Sequence, residues 1–159
     1  MGLNSNQVYR VIYRYVQNYK ITFMPVKKSI LTIDDVKEVF ANEFYLIQDK
    51  FRVLDIPVSE AKGNKDQKIN SPGVYVHWHP QFGVVRVGKS QTNSKSRSFD
   101  HFRDGTKSDE CDMSQLGVDP NSHLILFNIR SEDDSHWILS VENYLEKQLQ
   151  PAIPPGRKG

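Results

Sequence analysis

A chain of 159 residues with 21 Lys and Arg against 19 Asp and Glu has room for one ordinary domain, or a compact domain with a smaller appendage. Its formal charge of +2 does not by itself mark a nucleic-acid binder. No apolar run approaches a membrane span and the polar start Gly2–Asn6 does not read as a signal peptide, so the expected setting is intracellular and cytoplasmic, with no membrane partner. The single cysteine, Cys111, excludes an intrachain disulfide, and its neighbours Asp109, Glu110 and Asp112 disfavour a reactive thiolate.

In chain order, residues 7–20 place Val8, Val11, Ile12, Tyr15 and Tyr19 on one stripe, with Arg10, Arg14 and Gln17 opposite, and this spacing predicts an amphipathic helix. Its interleaved Tyr and Arg fit either base stacking with phosphate pairing or inward packing of the rings. After a break at Met24–Lys28, Thr32 followed by Asp34 and Asp35 reads as an N-cap with an acidic first turn, opening a helix through about Ile47. Its inner face is Val36, Val39, Phe40, Phe44 and Ile47, with Glu43 the misfit. Phe51–Val58 reads as a strand, and the polar run Ser59–Ser71 as a linker or long loop.

The chemistry-bearing stretch begins at Gly73. Val74, Val76 and Trp78 alternate with Tyr75, His77 and His79, which is a strand with one apolar and one polar face. His79–Gly83 supplies turn chemistry, and Val84–Val87 resumes the strand pattern. A turn centred on Pro80 and Gln81 would set Tyr75 opposite Arg86. A helix capped at Thr92, Asn93 or Ser94 runs to about Asp104, with Gly105 as stop signal, and Arg97 and His101 share one side at i and i+4. Residues 106–122 read as irregular. His123–Arg130 is an apolar strand expected at the centre of the sheet, and Ser131 or Asp134 caps a last helix through Leu149. Glu142 lies at the margin of that helix's apolar stripe, and Pro151 ends it.

Across residues 86–107 six cations (Arg86, Lys89, Lys95, Arg97, Arg103, Lys107) meet two carboxylates (Asp100, Asp104). Such a local patch on a near-neutral chain fits phosphate handling. His77 and His79 alternate on one strand, so a shared metal is a competing arrangement, although no third ligand follows from the spacing.

Gly73-Val74-Tyr75, Arg86-Val87-Gly88, Arg97 nine residues further on with His101 one turn later, and Glu142 on the final helix together resemble the GIY-YIG nuclease family over roughly residues 72–151. Two departures stand out: Arg86 where the family usually has tyrosine, and no asparagine after Asn143. The resemblance implies an α+β fold, a small antiparallel three-stranded sheet flanked by helices, in a nuclease domain over 71–159. A mostly helical segment over 1–70 would bind or select substrate. It further implies a restriction-type or mobile-element-like endonuclease, a monomer or homodimer that hydrolyses double-stranded DNA. In that reading Tyr75 assists water, Arg86, Arg97 and His101 act at the phosphate, Glu142 holds Mg2+ or Mn2+, and Lys89, Lys95 and Arg103 bind the substrate. The alternative is a nucleic-acid-binding module on the same fold without the chemistry.

Overall fold

The computed structural model describes residues 30–156, so the helix expected over 7–20 and the break at Met24–Lys28 lie outside the described residues. Helix α1 (Ile33–Glu43) starts on a reciprocal cap: Asp35 N–H donates to Thr32 Oγ1 at 3.1 Å, and Thr32 N–H donates to the Asp35 carboxylate at 2.7 Å. It ends at Phe44, about a turn before the expected stop, which leaves Glu43 exposed rather than misplaced in the core. Val36 and Phe40 are buried, and the Phe40 ring meets those of Phe51 and Phe127 at centroid distances of 5.4 and 4.7 Å.

The sheet has four antiparallel strands: β1 (Phe51–Pro57), β2 (Gly73–His79), β3 (Gly83–Ser90) and β4 (His123–Ile129), in the order β1-β4-β2-β3. This corrects the three-stranded expectation. The added strand is β1, which pairs along its whole length with β4, from Phe51 opposite Ile129 to Pro57 opposite His123. Leu124–Phe127 of β4 are apolar without a break because the strand is enclosed on both edges and both faces.

α1 and the last helix, α5 (Trp137–Leu149), cover one face of the sheet around Val74, Val76, Ile125, Phe127, Val141 and Leu145. On the other face lie the single-turn α2 (Val58–Ala61), then α3 (Ser94–Arg103) and the short α4 (Met113–Leu116). α3 starts on Asn93, whose side chain accepts from Ser96 N–H at 2.8 Å. Ser131 caps a short 3-10 turn (Glu132–Asp134) rather than α5 itself. Beyond α5, Gln150 takes a left-handed turn (φ 46°), and Ala152 and Ile153 donate to the carbonyls of Val84 and Val85. The chain after the helix is thereby held against β3.

The polar run expected as a loop is tied down. Asn128, next to the end of β4 and fully buried, donates to the carbonyls of Lys68 and Ile69 at 3.0 and 3.1 Å and accepts from Ser94 Oγ at 2.5 Å. One amide therefore joins residues 68–69, β4 and the start of α3. Among the described residues no helix is long and apolar enough to cross a membrane.

Candidate functional site

Tyr75 sits on the inner strand β2 and reaches the sheet's β3 edge because Gly88 lies opposite it. A Cβ at Gly88 would overlap the Tyr75 ring and hydroxyl. At Gly73 it would strike the Phe127 carbonyl and Asn128, where β2 and β4 come together. Both motif glycines are thus required by close approach. Gly88→Ala should displace the phenol and cost about 1–3 kcal/mol as overpacking. The check is chemical denaturation of the variant beside the parent.

The expected pairing of Tyr75 with Arg86 is corrected: Arg86 lies opposite His77. The connecting turn holds residues 80–82, and a bulge between His77 and Trp78 shifts the register. Even so, Tyr75 and Arg86 meet at a third residue. The Tyr75 hydroxyl lies 2.7 Å from His101 Nε2, and Arg86 Nε–H donates to the same nitrogen at 3.3 Å. With Nε2 accepting from the guanidinium, the imidazole proton belongs on Nδ1, which donates to Thr106 Oγ1 at 3.1 Å. Thr106 follows the helix-stopping Gly105 (φ 62°), and nothing in its own sequence context marked it.

The electrostatics keep this cluster neutral. Burial first, then the positive charges of Arg86 and Arg97, depress His101 to a pKa of about 4, against the weaker pull of Asp100 and Asp104. Tyr75 is pushed up from its ordinary value by burial. Arg86 and Arg97 oppose that shift, Glu142 adds to it, and burial outweighs the cations. At neutral pH the site therefore presents a phenol and an uncharged imidazole beside two guanidinium groups.

Arg97 is exposed one helical turn before His101, with Nη1 3.3 Å from Asp100. Arg103 lies 3.0 Å from both Asp100 and Asp104. Lys95 donates to the Asn64 carbonyl at 2.6 Å, which holds the 62–70 loop against α3. Lys89 and Glu142 meet at 3.9 Å on the α5 side of β3. Glu142 is buried, so the edge strand separates it from His101, although its charge still acts on Tyr75. Tyr75, Arg86 and His101 are in contact, Arg97 stands beside them, and Lys89 with Glu142 lies across the strand.

His77 and His79 do not form a metal pair. The His77 ring is enclosed by Phe102 and Tyr75, with centroids at 4.7 and 5.5 Å, and neither nitrogen has a hydrogen-bond partner. His79 Nε2 lies 3.2 Å from Asp119 Oδ2. Sequence reading missed His77 as a buried wall of the site, although its place one strand step from Tyr75 was the available signal.

Among the described residues no group of three His, Cys, Asp or Glu side chains is placed to hold a metal ion. No family model, curated protein or solved structure matches the chain. The expectation of a Mg2+- or Mn2+-dependent, restriction-type DNA endonuclease with Glu142 as ligand is therefore corrected: the donor set for the ion is missing, and no relative assigns nuclease chemistry.

Proposed function

We propose that the chain binds the phosphodiester backbone of nucleic acid, with duplex DNA as the ligand, through a module that resembles the GIY-YIG fold. The observation that carries this reading is that Arg86 and Arg97 both stand beside the Tyr75–His101 contact. Burial chiefly keeps the imidazole uncharged and both guanidinium groups add to that, so the local field is positive and favours an anion. A planar fork pairs with two phosphate oxygens at once, and two forks fit one or two adjacent phosphates. Tyr75 and His101 set the position of Arg86. Its Nε donates to His101 and the guanidinium also hydrogen-bonds the Tyr75 hydroxyl, which leaves the remaining N–H groups for the ligand. Asp100 between Arg97 and Arg103 holds the helix cations in place before the ligand arrives.

The test is fluorescence anisotropy of a labelled DNA duplex titrated with protein over a range of salt. Arg86→Ala together with Arg97→Ala should weaken binding about tenfold or more and reduce the slope of log K against log salt by about 2, roughly 0.9 per lost phosphate contact. Parent protein without salt-dependent binding, or a double variant with the parent's slope, overturns the proposal.

A further inference from the structure

A second cationic place lies at the end of the sheet where β1 and β2 begin. There a cleft of about 430 Å³ opens between residues 66–72 and 129–132, with Arg52, Lys68 and Arg130 in its walls. Among the described residues none of these three cations makes an ion pair, whereas Lys37, Lys50, Lys89, Arg97 and Arg103 each do. Asp66 and Glu132 also line the cleft, and Asp66 instead accepts from the Lys68 backbone at 2.8 Å. Arg130 is positioned by its Nε, which donates to the Phe51 carbonyl at 3.2 Å, so its two outer nitrogens are left for a ligand.

The sheet fixes how far this cleft lies from the first site. Arg52, Asn128, Gly73 and Ser90 form one rung across β1, β4, β2 and β3. Three strand spacings, about 14 Å, separate Arg52 from Ser90, and Arg86 lies about 13 Å from Ser90 along β3. The diagonal from Arg52 to Arg86 is thus about 19 Å, which one strand of a duplex, at about 3.4 Å of rise per phosphate, covers with on the order of six phosphates. We infer that the Arg52–Lys68–Arg130 cleft is a second phosphate subsite, taking the backbone of the same duplex that Arg86 and Arg97 hold. This rests on the nucleic-acid-binding reading above and extends it from one contact to a track that crosses the sheet diagonally.

The experiment uses the full chain and the same labelled duplex, with Arg52→Gln/Lys68→Gln, Arg130→Gln and Arg86→Ala/Arg97→Ala measured side by side. The Arg52/Lys68 pair, neither of which bonds another side chain, should weaken binding about tenfold and lower the salt slope by about 2, with the thermal midpoint unchanged. Arg130→Gln should lower it by about 1, and its midpoint shows whether loss of the Phe51 contact perturbs the fold. An unchanged slope in the Arg52/Lys68 variant, with a reduced slope in the Arg86/Arg97 variant, overturns the subsite and leaves the first site standing. A reduced slope in Arg52/Lys68 alone means that DNA sits in the cleft without the first site, which overturns the shared track and the proposed role of Arg86 and Arg97. No change in any variant removes both.

Discussion

A chain that begins at Asn70 should fail to fold to the native sheet. That cut removes α1, β1 and α2, exposes one whole edge of β4, and strips the Phe40 ring, itself packed on Phe51, from Phe127. It also deletes Lys68 and Ile69, whose carbonyls are partners of the buried Asn128 amide. A single large core truncation costs about 2–5 kcal/mol. Here Val36, Phe40, Phe51, Val58, Ala61 and Ile69, all buried, go together, against a net stability on the order of 5–15 kcal/mol for a domain. The expected result is an aggregated or unfolded product, read by far-UV circular dichroism and amide dispersion. A cooperative, native-like transition in that chain would instead establish an autonomous unit beginning at residue 70.

The second large effect is an acid transition set by buried imidazoles. Burial pushes His77 down to a pKa of about 3, with His101 and Arg86 adding to the effect, and His101 lies at about 4. Both are depressed below the unfolded value near 6.5, so between those limits the unfolded chain binds more protons than the native one. Their contribution to stability is therefore complete above about pH 6.5 and is lost as pH falls toward 4 and below. For His77, completely enclosed, the full shift corresponds to an effect on the order of 5 kcal/mol. Denaturant midpoints should hold from pH 8 to 6.5 (about the unperturbed histidine value) and then fall steeply. His77→Phe should flatten that limb. It should also stabilise the protein at neutral pH by about 1–3 kcal/mol, because two buried nitrogens without partners are replaced by carbon. An acid limb of the parent's steepness in His77→Phe would show that other groups, carboxylates above all, govern it.

The same buried His77 explains why the site's chemistry was only partly legible. Alternation along β2 put Tyr75 and His77 on a common face, the hairpin put Arg86 of β3 on that face too, and the i, i+4 spacing put Arg97 beside His101. These are local periodicities that survive any arrangement of the rest of the chain. The protonation states did not follow. Proximity of Arg86 suggests a phenol pulled toward phenolate, yet enclosure of Tyr75 by the sheet and α3 raises it instead. Desolvation depends on what covers a group, and that is decided by segments far away in sequence.

Charge and spacing in the chain by itself determined a basic helix after a β-hairpin, a central apolar strand at 123–129, a capped helix opening at Thr32 and a final helix carrying Glu142 at its margin. Each of these follows from a repeat or a cap within a dozen residues. Only the tertiary structure decided that β1 completes a four-stranded sheet, that a bulge at His77 sets Arg86 against it, and that Asn128 clamps the polar 62–70 run. The same holds for the separation of Glu142 from His101 by the edge strand, which leaves no donor set for a metal among the described residues. Pairing and burial are sums over distant contacts. A strand pattern states which face a residue takes, but its neighbour across the ladder is chosen by whichever register buries the most apolar surface and leaves the fewest backbone groups unpaired.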